Sequence, residues 1–196
     1  MKLALAQINT KLADVQSNLD KHLSLCKEAW QNQAELIIFP ELSLTGYTLQ
    51  DLASTVAIRA NETDPIFKQL LHASEDLDII FGFVEEDPRF RFYISAAYLS
   101  EGKLIHLHRK VYPPTYGIFD EKRFFAEGDS FRAFDTRFGR VGILICEDFW
   151  HVSSPYTLWL DGADIFYLIS ASPGRGVTDE KLGSATWVET VNQTYA

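Results

Sequence analysis

The sequence has only two cysteines, Cys26 and Cys146, too few and too widely separated for a disulfide framework or a zinc-binding spacing. Free thiols of this kind suit a reducing compartment, so the reading is cytoplasmic. Long apolar runs are also missing. No stretch approaches the 18 uninterrupted apolar residues of a membrane span, and the opening Met1-Lys2-Leu3-Ala4-Leu5-Ala6 is broken by Gln7, Asn9 and Lys11 before a signal-peptide core can form. Basic charge is scarce: 18 Lys and Arg face 27 Asp and Glu, a net charge of −9 that repels nucleic acid and anionic lipid alike. There is no internal repeat, no low-complexity tract and no linker, so the 196 residues read as a single domain, 1–196. With 46% hydrophobic and 13% aromatic residues, that domain is expected to be folded and to bury a sizeable core.

What is present alternates strand and helix. A first strand falls within Leu3 to Asn9. Asp14 is placed to cap a helix whose apolar positions Val15, Leu19, Leu23, Cys26 and Trp30 recur at helical spacing, which puts Cys26 on a buried stripe. Residues 35–39 are short, continuous and branched, as in a strand buried on both faces, and Pro40 ends it. A helix over 63–75, with Thr63 as its cap, and a strand over 79–84 follow. Residues 91–100 and 104–109 form a hairpin around Glu101-Gly102-Lys103, so the sheet is not purely parallel. Residues 111–130, rich in Pro, Gly and aromatics, read as a long ordered loop of the kind that carries function. A second hairpin, 131–135 with 140–145, ends at Cys146. A helix over 154–161, a strand over 164–169, a Gly- and Pro-containing loop to Gly176 and a helix from about Asp179 complete the chain.

Three strand ends carry candidate chemistry. Glu41 stands just past the buried strand 35–39, where a carboxylate in a dry pocket can act as a base, although most glutamates merely solvate a loop. Lys110 ends the strand carrying His106 and His108, all three on one face. It could stabilise an oxyanion or could simply snorkel to the surface. Cys146 opens into Glu147 and Asp148, acidic neighbours that raise a thiol pKa, so a nucleophilic role demands a nearby cation or base. On position alone, a thiol filling the core is the simpler reading. A Cys-His pair drawn from His106, His108 or His151 has no evident orienting partner, and His106-x-His108 is a weak metal signal. The loop Ser170-Ala171-Ser172-Pro173-Gly174-Arg175-Gly176 lacks the lysine of a phosphate-binding P-loop and is better read as a substrate loop.

Taken together, Phe39-Pro40-Glu41-Leu42, His108-Arg109-Lys110-Val111-Tyr112 and Gly142-Ile143-Leu144-Ile145-Cys146-Glu147-Asp148 resemble the Glu-Lys-Cys motifs of the nitrilase, or carbon-nitrogen hydrolase, superfamily. Glu189 to Tyr195 resembles its Glu-Asn-x-x-Tyr segment. Lys110 to Phe125 and Cys146-Glu147-Asp148-Phe149-Trp150 are similar to the glutamine-hydrolysing domain of glutamine-dependent NAD synthetases, with Pro113 where that subgroup commonly has Leu. The resemblance implies an α/β fold, a four-layer αββα sandwich with mixed sheets, and catalysis by Glu41, Lys110 and Cys146 through a thioester. It implies that Glu121 is a second glutamate, that Tyr116 and Phe119 line the glutamine pocket, that the Glu147 backbone N–H serves the oxyanion, and that Ser172 and Arg175 meet the substrate's α-amino and carboxylate ends. Lys110 is expected to lower the Cys146 pKa and offset Glu147 and Asp148. No metal and no cofactor is implied. The expected partner is a small amide, glutamine first, with neither nucleic acid nor membrane, and a homo-oligomer when full length. The Ser-Gly-Gly-x-x-Ser pyrophosphatase motif is missing, so a synthetase domain, if coupled, is not in this chain, and the sandwich is expected to lack its C-terminal strands. Two other readings stand beside this one: a free-standing amidase for another small amide, and an inactive assembly domain.

Overall fold

The computed structural model describes residues 1–172; the helix expected from Asp179, the Glu189–Tyr195 segment and Arg175 lie outside the described residues. Eight strands form two sheets. The first has the order β1 (Leu3–Leu5), β2 (Leu36–Ile38), β3 (Asp78–Glu86), β4 (Phe92–Ser100), β5 (Lys103–Arg109). Its first three strands run parallel and its last three alternate antiparallel. The second sheet comprises β6 (Phe134–Thr136), β7 (Gly139–Ile145) and β8 (Ile165–Ile169), with β6 antiparallel and β8 parallel to β7. The β4–β5 hairpin closes on Glu101 and Gly102 alone, at φ 51° and 71°, the twist-matching geometry that needs positive φ at both loop residues.

Period-two alternation in the first sheet sorts its side chains into two cores. Ile37, Phe39, Ile79, Phe81 and Phe83 face outward onto helices α1 (Val15–Gln31) and α3 (Pro65–Ala73), where Leu19, Cys26, Phe67 and Leu70 meet them. Leu36, Ile38, Ile80, Val84, Ile94 and Tyr98 face inward onto Val141, Ile143, Ile145 and Tyr167 of the second sheet. On the far side of that sheet, Leu144 packs on Leu158 of helix α4 (Ser153–Leu160). A short helix, α2 (Ala53–Val56), lies at the margin of the inner core. The layers are therefore helix, sheet, sheet and helix, the αββα sandwich with mixed sheets.

Two local expectations are corrected. Thr63 does not cap α3: Asp64 does, accepting from the amides of Ile66 and Phe67 at 2.9 and 3.2 Å, while Thr63 bonds to Asn61. Trp30 is not on the buried stripe of α1 but 54% exposed, because the stripe drifts round the helix and Ala29 takes the inward place. Asp14 does cap α1, accepting from the Ser17 amide at 3.0 Å.

Two contacts hold the loop after β2. His22 of α1, fully buried and stacked on Phe39 at 4.0 Å, reaches Ser43 Oγ at 3.0 Å. The loop then crosses β3 directly at Gly82, where an added Cβ would lie 2.4 Å from the Leu42 nitrogen and 2.8 Å from the Pro40 oxygen. Backbone atoms cannot yield as a flexible side chain would. Gly82→Ala is therefore expected to cost about 1–3 kcal/mol, the usual range for overpacking a tight interior, read as a lowered urea midpoint. An unchanged midpoint would show that the loop can lift without penalty.

Candidate active site

Glu41, Lys110 and Cys146 each follow a strand that ends at the same edge of the sandwich. Pro40 stops β2, and a tight turn, with the Ser43 amide on the Pro40 carbonyl and Leu42 at φ 49°, turns Glu41 into the interior. The Lys110 backbone is pinned on both sides: its amide donates to the Ile94 carbonyl and its carbonyl accepts from the Gly128 amide, both at 2.8 Å. His106, His108 and Lys110 do share one face, as their spacing predicts, and it is the face turned toward the second sheet. His106 stacks on Phe134 at 4.2 Å and His108 donates to Asp148 at 2.9 Å. His151 stacks on Tyr112 at 3.8 Å and lies 3.5 Å from Glu147 Oε1.

Lys110 is not a snorkelling surface lysine; it is 1% exposed. Its ammonium lies 2.7 Å from Glu41 Oε1 and 2.9 and 2.7 Å from the two oxygens of Glu121. Burial works against the ammonium, but the two carboxylates outweigh it and raise the Lys110 pKa. Glu121 is held by its own loop, with its amide on the Pro114 carbonyl at 2.9 Å, and it also accepts from the Tyr47 hydroxyl. Burial pushes its carboxyl up to about 7, with Lys110 opposing. Glu41 keeps a second partner, the Ala171 amide at 3.0 Å beyond β8.

Cys146 opens a one-turn 3-10 helix, Cys146–Trp150, at φ 46°, a conformation that costs a residue with a Cβ and that recurs at functional sites. The thiol is within the field of Glu41, Lys110 and Glu121 and accepts a hydrogen bond from the Ser170 side chain, which also bonds to Ser172. Lys110 does lower the thiol's pKa as expected, but the balance goes the other way: burial first, then Glu41, push it up to about 12. Nor is Asp148 an acidic neighbour of the thiol. Its side chain points back into the protein, accepting from the amides of Val111, Tyr112 and Ile145.

Of the expected pocket residues, Glu121 stands with the lysine and Ser172 with Ser170. Tyr116 is 58% exposed and donates to Glu147 Oε2 at 2.6 Å. Phe119 meets Tyr116 edge-on at 5.7 Å and Tyr47 at 6.5 Å. A cleft of about 250 Å³ opens between Tyr47, Gln50, Phe119, Glu121, Phe124 and Ala171. Tyr47 and Asp148 are the two participants that sequence reasoning missed. Asp148 lies inside a motif already singled out and Tyr47 five residues beyond another, but nothing in the spacing tells which way their side chains turn.

The four layers and the buried polar cluster at their strand ends define an α/β enzyme domain of the nitrilase fold. The chain belongs to the carbon-nitrogen hydrolase family, whose sequence profile matches residues 2–196. It is similar to the glutamine-dependent NAD(+) synthetase of Acinetobacter baylyi, 34% identical over 88% of this chain and 31% of that protein. It is also similar to a nitrilase of Pyrococcus abyssi, 33% identical over 84% of this chain and 63% of that one. Among solved structures, the glutamine-dependent NAD+ synthetase of Acinetobacter baumannii superposes with a TM-score of 0.77 at 32% identity, over 88% of this chain and 32% of that chain. The chain thus spans about a third of the length of these synthetases.

Two outcomes follow from the site's electrostatics. Lys110→Met leaves Glu41 and Glu121 buried without their cation and is expected to cost about 3–5 kcal/mol. Adding Glu121→Gln should restore part of that loss, as a double-mutant cycle by chemical denaturation will read. With its pKa near 12, Cys146 is expected to alkylate ever faster from pH 7 to pH 10. A plateau below pH 9 would contradict that account.

Proposed function

We propose that this domain hydrolyses a carboxamide through a thioester at Cys146, with glutamine as substrate. The observation that carries the reading is the buried Lys110 ammonium held between Glu41 and Glu121 beside a thiol at a strained strand end. Glu41 takes the thiol proton as the sulfur attacks the amide carbon, which suits a thiol whose resting pKa is too high for it to ionise unaided. The Lys110 ammonium and the Glu147 backbone N–H hold the oxyanion. Glu41 then protonates the departing ammonia, and water activated by the same carboxylate cleaves the thioester to the acid. Tyr116, Phe119, Glu121, Glu147 and Ser172 would form the substrate pocket, and Arg175, outside the described residues, is assigned to it as well.

Glutamine is favoured by the likeness to NAD synthetases over most of the chain. The likeness to a nitrilase supports a second reading, a free-standing hydrolase of another small amide. In either reading we take residues 1–196 as one cytoplasmic carbon-nitrogen hydrolase domain, homo-oligomeric in the full-length protein. Among the described residues no helix is long and apolar enough to cross a membrane. In the first reading, ammonia would pass to a synthetase domain outside this sequence.

Ammonia release from glutamine, asparagine, an aliphatic amide, a nitrile and an N-carbamoyl amino acid tests the choice. Glutamine should be turned over fastest, and Cys146→Ala should release no ammonia above background. Turnover of another substrate with glutamine inert selects the second reading. An inactive assembly domain would show no turnover at all and equally slow alkylation at Cys146 and Cys26.

A further inference from the structure

Four donors gather on Asp148, and they come from both strand ends of the site. Oδ1 accepts from the amides of Val111 and Tyr112, each at 3.0 Å, the two residues that follow Lys110. Oδ2 accepts from the Ile145 amide at 3.1 Å, the residue before Cys146, and from His108 Nε2 at 2.9 Å, two residues before Lys110. The Asp148 side chain is fully buried and His108 nearly so. β5 belongs to the first sheet and β7 to the second, so no backbone ladder sets the height of Lys110 against that of Cys146. Asp148 makes a buried polar link between them.

We infer that Asp148, with its rotation fixed by the His108 donor, is a positioning residue that holds the strand ends bearing Lys110 and Cys146 in one register. The inference rests on the proposed roles of those two residues. It gives a reason for the acid two places after the cysteine: a 3-10 turn starting at Cys146 carries residue 148 back beneath the strand end, where a short carboxylate reaches amides of both strands. An asparagine cannot replace it. In either amide orientation Nδ2 faces N–H donors, those of Val111 and Tyr112 or that of Ile145, and one strand loses its anchor.

The test uses Asp148→Asn and His108→Phe, the latter keeping a ring against Phe131 while removing the donor. For each, kcat and KM are measured on the best wild-type amide per folded molecule, with folding followed by circular dichroism, and Cys146 alkylation by iodoacetamide is timed. Misplacing reacting groups by an ångström can cost on the order of 100-fold. Asp148→Asn should therefore lower kcat by that order with KM changed less than about threefold, and His108→Phe should lower it by a smaller factor. Alkylation should slow in both, because a displaced Lys110 no longer favours the thiolate. A purely structural brace predicts the reverse: a loosened site exposes the thiol, alkylation speeds up, and kcat per folded molecule holds. That result in either variant overturns the inference, as does a kcat loss with unslowed alkylation. If Asp148→Asn does not fold, His108→Phe alone decides. Should the wild type turn over no amide, the functional reading fails, while the alkylation comparison still reports the register.

Discussion

An ammonium taken out of water loses several kcal/mol of hydration and must recover it from close, well-placed partners. Lys110 does so with two carboxylates that lie 69 residues upstream and 11 residues downstream. Because it is fully enclosed, each partner must be delivered exactly to it. Glu41 depends on the turn after β2, and that turn depends on His22 and the backbone of β3. Glu121 depends on a long loop tied back to Pro114 and on the Tyr47 hydroxyl. Much of the irregular structure at this edge of the sandwich serves to bring two acids to one cation. The loops are ordered because a misdelivered acid would leave an uncompensated charge in the interior.

The same cluster sets the state of the thiol. Glu41 and burial disfavour the thiolate while Lys110 favours it, and the first two prevail. A resting thiol beside a carboxylate differs from a preformed thiolate: it resists adventitious alkylation and oxidation, and it becomes nucleophilic only as its proton leaves. In the proposed mechanism acceptor and cation are already in contact, so moving a proton onto Glu41 would leave Lys110 freer to face a developing oxyanion.

Much of this was legible in the sequence. Alternation and turn residues located both hairpins, the buried strand and helices α1, α3 and α4 to within a few residues, since those signals are local. Glu41, Lys110 and Cys146 stood out as polar residues at strand ends. Their convergence was not readable from spacing, because it depends on two sheets packing face to face. Asp148 shows the limit most clearly. In sequence it is an acid near a cysteine and reads as opposing thiolate formation. The positive φ at Cys146 and the 3-10 turn it starts send the carboxylate the other way, to amides near residue 111. Trp30 and Thr63 were misplaced for a smaller reason: helix drift and a neighbouring acid decide such positions, and periodicity does not resolve a single residue.

Gly82 carries no charge, donates nothing from a side chain and lies in the middle of a strand. Yet the loop that bears Glu41 rests directly on it, with no room for even a methyl group between. The turn that carries this carboxylate thus lies where it does only because a neighbouring strand has a hydrogen atom in place of a side chain. A side chain at Gly82 would therefore disturb the turn that bears Glu41 without touching any wall of the cleft.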